Sequence, residues 1–166
     1  AITAGAGPRH LDFHPSSNHL YVLSELNHTV EVFEYKSVDA AFERKQVIST
    51  LSEGSSAVSY PAAIKVHPNG KFLYASNRGS TEEENSIAIF LIDGQSGELA
   101  FQRVVHTGGN FPRDFEITPS GNFLLAANQN SGNIVVFKID AESGDLTETG
   151  TDFAIPTPVC LKFLSI

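Results

Sequence analysis

Short apolar runs, some continuous and some alternating with polar residues, recur along the chain, and Pro, Gly, Ser or Asn residues separate them. Residues 20–23, 29–33 and 72–75 are typical runs. Alternation with a period of two indicates half-buried β-strands, and no window keeps the apolar spacing of a long amphipathic helix. One or two helical turns are expected at residues 37–44, in an outer loop. The pattern therefore predicts an all-β protein built from many short strands.

These runs group into three copies of one unit. Each copy opens on a proline, and a second proline follows seven residues later. The opening prolines are Pro8, Pro61 and Pro112, which lie 53 and 51 residues apart. In every copy a polar or glycine-containing turn then separates the first strand from the second. The predicted units cover about 8–60, 61–111 and 112–157, and residues 158–166 resemble the first strand of a further copy.

Each unit is predicted to hold four strands. Fourth strands are expected at residues 45–51, 100–106 and 149–155. Four short strands in about fifty residues are the period of a β-propeller blade and not of a helical repeat. Because a propeller closes with ~4–8 blades, we expect residues 1–166 to form one partial β-propeller domain of three blades plus one strand. The remaining blades would come from elsewhere in the native polypeptide or from another chain.

Composition narrows the classes of function. The formal net charge of −8, from 19 acidic and 11 basic residues, opposes a nucleic-acid partner. No apolar run approaches the ~20 residues of a membrane span. The single cysteine, Cys160, excludes an intrachain disulfide, and the first residues lack a signal-peptide pattern. A cytoplasmic protein without a membrane or nucleic-acid partner is therefore predicted.

Polar residues that differ between copies occupy equivalent positions at the blade ends. Positions 9 and 25, 62 and 78, and 113 and 129 are each 16 residues apart, so they lie side by side when each hairpin folds at its turn. In a propeller these positions face one mouth of the central channel. We expect charged and amide side chains to converge there, namely Arg9, Glu25, Asn77, Arg78, Arg113, Asn128, Gln129 and Asn130, with His10 beside Arg9.

Several guanidinium groups with a single carboxylate suit an anionic substrate that also requires a proton transfer. The alternative is that these residues form ion pairs that only stabilise loops, since surface pairs contribute ~0–1 kcal/mol. A metal site is not predicted, because the His10 and His14 side chains would stand roughly 13 Å apart along a strand. No nucleotide-binding motif is present, and no cofactor is expected.

Three stretches of the sequence carry a family resemblance. The segment from Gly5 to Pro15, with its Gly-Pro-Arg-His-Leu run, and the later Pro112-Arg113-x-Phe115 and Asn128-Gln129 resemble the lactonase family of seven-bladed β-propellers. The resemblance implies the C-terminal part of a longer polypeptide that lacks roughly four blades. By position, the family's cleft arginine and glutamate fall on Arg9 and Glu25, and a further cleft arginine falls on Arg78.

The resemblance implies a metal-independent lactone hydrolase that acts on a sugar-acid lactone such as 6-phosphogluconolactone. Glu25, Arg9 and Arg78 would be catalytic, and His10, Arg113, Gln129, Asn77 and Asn128 would bind the substrate. A muconate-lactonising cyclase, which is an isomerase, would need the same anion-binding arginines. A non-catalytic propeller that binds a ligand or protein is the third hypothesis, because a fold does not fix a function.

Overall fold

The computed structural model describes residues 1–81 and 84–164. These residues form three antiparallel four-stranded sheets, so the all-β class predicted from the sequence is confirmed. We call each sheet a blade. The described residues include no helix of the length and apolarity needed to cross a membrane. The strands are β1 Pro8–Phe13, β2 His19–Ser24, β3 Thr29–Lys36, β4 Ala41–Ser49, β5 Ile64–Val66, β6 Phe72–Asn77, β7 Ser86–Ile92, β8 Leu99–His106, β9 Pro112–Ile117, β10 Phe123–Asn128, β11 Asn133–Ile139 and β12 Leu146–Ala154.

The strands of each blade are adjacent in space in the order of the chain. Blade 1 contains β1 to β4, blade 2 contains β5 to β8, and blade 3 contains β9 to β12. Tight turns make this meander possible. Gly70 and Gly121 have φ angles of 74° and 75° in the turns that precede β6 and β10, a conformation that glycine adopts without steric cost.

Two expectations about local structure require correction. The helical turns expected at residues 37–44 do not form, because β4 already begins at Ala41 and pairs with β3 as far as Lys36. The strand expected at 158–166 is also not observed over residues 158–164. Among the described residues no second strand of a further blade pairs with this segment, and its last two residues, 165 and 166, lie outside the described part of the chain.

Apolar side chains pack between the blades. Strand β6 is buried along its whole length, so its two faces contact different neighbours. Leu73 and Ala75 belong to the cluster shared with blade 1, whereas Phe72 and Tyr74 belong to the cluster shared with blade 3. Each buried aliphatic or aromatic side chain stabilises the fold by roughly 1.5–3 kcal/mol, and the blades consequently stack as layers of one core.

Buried tyrosines connect each blade to the next one. The hydroxyl of Tyr21 in β2 donates to the carbonyl of Gly97, at 3.0 Å. The hydroxyl of Tyr74, at the equivalent position of β6, donates to the carbonyl of Gly144, at 2.8 Å. Both tyrosine side chains are fully buried, and burial raises the pKa of each hydroxyl. The phenols therefore remain protonated donors across the blade interfaces.

Histidines make a second connection between blades. His14 Nε2 lies 2.9 Å from the carbonyl oxygen of Gly70, and His67 Nε2 lies 2.8 Å from the carbonyl oxygen of Gly121. In each ring Nδ1 accepts a backbone N–H, that of Ser16 for His14 and that of Asn69 for His67. These bonds assign the proton to Nε2, which donates to the turn of the next blade.

The innermost strands are connected by carboxylates. Asp12 Oδ2 accepts the backbone N–H of Val66 in blade 2, and Asp114 Oδ2 accepts that of Leu161, each at 2.8 Å. Glu116 accepts hydrogen bonds from Lys65 and Lys162. The segment after Pro158 thus lies against blade 3 as β5 lies against blade 1, although it is not paired as a strand.

Candidate active site

The polar residues expected at the channel mouth lie at one end of the blades. Glu25, Arg78 and Gln129 each directly follow the second strand of their blade. Arg9 and Arg113 occupy the extra position of a β-bulge in the first strand. A bulge re-aims the side chain that it carries, and both arginines consequently reach towards the residues that follow the neighbouring strand.

Glu25 is the carboxylate at the centre of this group. Its Oε1 lies 2.6 Å from Nη2 of Arg78, and its Oε2 lies 3.8 Å from Nε of Arg9. The side chain of Glu25 is 34% exposed, whereas those of Arg9 and Arg78 are 18% and 3% exposed. Two guanidinium groups therefore hold a carboxylate that remains accessible to a ligand.

Arg78 is held by contacts on several sides. Its Nε donates to the carbonyl oxygen of Tyr60 at 2.8 Å, while Nη2 contacts Glu25, which belongs to the preceding blade. The guanidinium carbon lies 4.8 Å from the centre of the Phe111 ring, within the range of a cation–π interaction. Arg78 thus has little freedom to move and little surface to offer a ligand, so it is placed to orient Glu25.

The remaining polar residues surround this pair. Arg9 Nη1 donates to the carbonyl of Ala62 in the next blade and lies 3.3 Å from Nε2 of the adjacent, exposed His10. Arg113 Nη1 lies 3.4 Å from the side-chain oxygen of Gln129, as the hairpin geometry predicted. Incomplete solvation and the charge of Arg9 lower the pKa of His10, which favours a neutral imidazole at pH 7.

Electrostatic coupling extends across the group. Burial, followed by the positive charges of Arg78 and Arg113, lowers the pKa of Arg9, whereas the charges of Glu25 and Asp114 oppose this shift. Guanidinium groups stay protonated under such shifts because their ordinary pKa is above 12. Arg9 and Arg78 therefore share the carboxylate of Glu25, and the charge of Arg113 adds to theirs at Arg9, in a chain whose formal net charge is −8. An additional anion would be stabilised here.

Asn77 and Asn128 do not join this group. Both side chains are fully buried, and their Nδ2 atoms donate to the carbonyls of Thr50 and Thr107, each at 3.0 Å. These carbonyls follow the outer strand of the preceding blade. The prediction that these two amides bind substrate is therefore wrong, because their side chains connect neighbouring blades. A strand end brings alternate side chains to opposite faces, and the adjacent Arg78 and Gln129 reach the mouth instead.

Two contributors were not singled out from the sequence. Phe111 supplies the ring beneath Arg78, and Tyr60 supplies the carbonyl that accepts from its Nε. Both residues directly precede an opening proline of a repeat, at the position that Gly7 occupies in the first copy. The sequence feature that could have indicated them is that this repeat position holds a glycine in the first copy and an aromatic residue in the other two. Within residues 1–81 and 84–164 there is no cluster of three or more His, Cys, Asp or Glu residues placed to hold a metal ion.

The chain is similar to proteins of known sequence and structure. It is 43% identical to a protein of Bacillus subtilis (strain 168) named 6-phosphogluconolactonase, over 99% of this chain and 46% of the relative. A protein from Lactobacillus plantarum superposes with a TM-score of 0.91 and 34% identity, over 99% of this chain and 47% of that structure. The periplasmic gluconolactonase of Pseudomonas aeruginosa gives a TM-score of 0.90 and 31% identity, over 98% and 44%.

The chain spans about half the length of these relatives. Its sheets superpose on their structures with both high coverage and high TM-scores, so the predicted propeller fold is confirmed. Residues 1–163 match the family described as "Lactonase, 7-bladed beta-propeller". On this match the chain belongs to the lactonase family of seven-bladed β-propellers, as the Gly-Pro-Arg motif suggested.

Proposed function

We propose that the protein containing this chain hydrolyses a sugar-acid lactone, with 6-phosphogluconolactone as the first candidate. The proposal rests mainly on the position of Glu25, whose carboxylate is accessible and contacts both Arg9 and Arg78. The name of the Bacillus subtilis relative supports the choice of reaction and substrate. A lactone that carries a phosphate matches the excess of positive charge around Glu25.

The chemistry requires a base and a stabilised oxyanion. Glu25 takes a proton from the water molecule that attacks the lactone carbonyl. Negative charge then develops on the carbonyl oxygen, and Arg9 is the partly exposed cation placed to stabilise it. The bond between the carbonyl carbon and the ring oxygen breaks, and Glu25 returns the proton to that oxygen. The product is the open-chain hydroxy acid.

The other residues position the reactants. Arg78 fixes the orientation of Glu25, because it is almost fully buried and its fork is occupied by Glu25 and the Tyr60 carbonyl. Arg113, Gln129 and the neutral His10 are placed to orient the substrate. A carboxylate held by two guanidinium groups loses little entropy when it reaches the reactive geometry.

The experiment is a turnover assay on the full-length protein. The rate of 6-phosphogluconolactone consumption is measured above spontaneous hydrolysis, in parallel with gluconolactone and 3-carboxymuconolactone. Saturable turnover of the sugar lactones is the expected result. Turnover of the muconolactone alone would instead indicate a cyclase, and saturable binding without turnover of any lactone would indicate a binding module.

A further inference from the structure

A pocket of about 300 Å³ borders the Arg78 side of the candidate active site. It lies between blades 2 and 3, at the same end of the strands as Glu25. Phe111 forms one wall of the pocket and also stacks against the guanidinium of Arg78, which in turn contacts Glu25. Among residues 1–81 and 84–164, those that line the pocket are uncharged: Tyr60, Gly79, Ser80, Asn110, Phe111 and Asn130.

Phe111 adopts a backbone conformation that is unfavourable for a bulky residue. Its φ angle is 64°, in the left-handed region that residues other than glycine rarely populate. The equivalent residue of the first repeat is Gly7, with a φ angle of 67°. Glycine therefore suffices for the backbone at this repeat position. The ring of Phe111 is present despite its conformational cost, which points to a role for the side chain itself.

Neighbouring groups hold Phe111 in this conformation. Its N–H donates to Oδ1 of the buried Asn85 at 2.8 Å, and its carbonyl accepts the N–H of Gln129 at 3.0 Å. Asn85 Oδ1 also accepts the N–H of Gly79, at 3.2 Å. One buried amide thus connects Gly79 and Phe111, two lining residues that come from different blades, and fixes the shape of the pocket before a ligand arrives.

The lining favours hydroxyl groups over further anionic groups. Asn110, Asn130 and Ser80 are exposed, and their side chains carry both hydrogen-bond donors and acceptors. The rings of Tyr60 and Phe111 offer apolar faces for C–H groups. Amide and hydroxyl side chains beside aromatic rings are complementary to a polyhydroxylated carbon chain, whereas a second carboxylate would find no cation among the described residues of the lining.

We propose that this pocket binds hydroxyl groups of the substrate, while the carbonyl and any phosphate lie on the side of Glu25 and its arginines. The inference rests on the proposed lactone hydrolysis and adds the residues that select a substrate by its hydroxyl groups. Asn130 and Asn110 are hydrogen-bonding partners of the substrate hydroxyls. Phe111 is the wall that also positions Arg78.

Binding to the full-length protein is measured by titration calorimetry with two probes of equal carbon number, D-gluconate and hexanoate. Both carry one carboxylate, but only D-gluconate carries hydroxyl groups. We expect tighter binding of D-gluconate, and about fivefold weaker D-gluconate binding in Asn130→Ala, with hexanoate unaffected. Asn122→Ala is the matched control, because Asn122 is exposed and lies at the opposite end of β10.

Phe111→Gly provides a second variant. It reproduces the residue of the first repeat, so its backbone conformation is available without strain, and we expect about tenfold weaker binding of D-gluconate. In steady-state assays, Asn130→Ala raises KM for the lactone with kcat unchanged, since the contact is present in both the ground state and the transition state.

The outcomes separate this proposal from the proposed function. Equal affinity for D-gluconate and hexanoate, or equal losses in Asn130→Ala and Asn122→Ala, would overturn the assignment of the pocket. Selective D-gluconate binding that depends on Asn130 supports it, even if no lactone is turned over. In that case the hydrolase proposal fails while the polyol-binding pocket stands.

Discussion

Replacement of Arg78 by lysine tests how far the geometry of a guanidinium, and not its charge alone, organises Glu25. Lysine keeps the positive charge but offers a single point donor in place of a planar fork. In the structure that fork serves the Tyr60 carbonyl through Nε and Glu25 through Nη2, at 2.8 Å and 2.6 Å. A lysine ammonium cannot occupy both positions with the same geometry.

The expected magnitude follows from these contacts. Loss of one hydrogen bond that involves a charged group costs about 1.5–3 kcal/mol, and loss of the stacking on Phe111 adds about 0.5–2 kcal/mol. Since Arg78 is only 3% exposed, solvent screens these contacts little. A total of about 2–5 kcal/mol corresponds to a loss of about 30- to 5,000-fold in kcat/KM if it falls on the transition state.

Steady-state kinetics and urea unfolding of the full-length Arg78→Lys variant measure how the loss divides between activity and stability. Arg103→Lys is the control. Arg103 lies on the outer strand β8, is 53% exposed and pairs with Asp145, and an exposed ion pair of this kind contributes ~0–1 kcal/mol. If Arg78→Lys matched wild type in both kcat/KM and unfolding free energy, the charge of residue 78 alone, and not the guanidinium geometry, would organise Glu25.

Two further predictions concern the contacts between blades. Tyr74→Phe leaves the Gly144 carbonyl without its donor and should lower the unfolding free energy by about 1–3 kcal/mol; an unchanged urea midpoint would argue against the bond. Gly121→Ala would force a residue with a φ angle of 75° to carry a Cβ placed 2.7 Å from Cε1 of His67. We expect a destabilisation of about 1–3 kcal/mol, and a neutral effect in thermal unfolding would show that the turn can relax.

The repeats in the sequence predicted the blades, because each blade is formed by consecutive apolar strands and by turns that lie within one repeat. The spacing of 16 residues placed Arg113 beside Gln129 and Arg9 beside Glu25, as the hairpins require. These contacts lie within one repeat, where strand pairing converts sequence distance directly into spatial distance. Local patterns were therefore sufficient to place them.

Contacts between repeats were not predictable in the same way. Arg78 reaches Glu25 of the preceding blade, and Asn128 turns inward to the Thr107 carbonyl. Such contacts depend on the packing of one blade against the next, which the spacing within a repeat does not determine. The conformation of Phe111 was also not predictable from the sequence, because a bulky residue rarely adopts a left-handed backbone conformation. Its role became clear only from the comparison with Gly7 and from the contact of its ring with Arg78.

The central claim is that Glu25 is the base of a lactone hydrolase, and kcat/KM of the full-length Glu25→Gln variant for 6-phosphogluconolactone tests it most directly. Glutamine keeps the size of the side chain and an oxygen that can accept from Arg78, but it cannot take a proton from water. We expect kcat/KM to fall by about 10²- to 10⁴-fold, with unchanged unfolding cooperativity and retained D-gluconate binding. A folded variant with wild-type kcat/KM would contradict it.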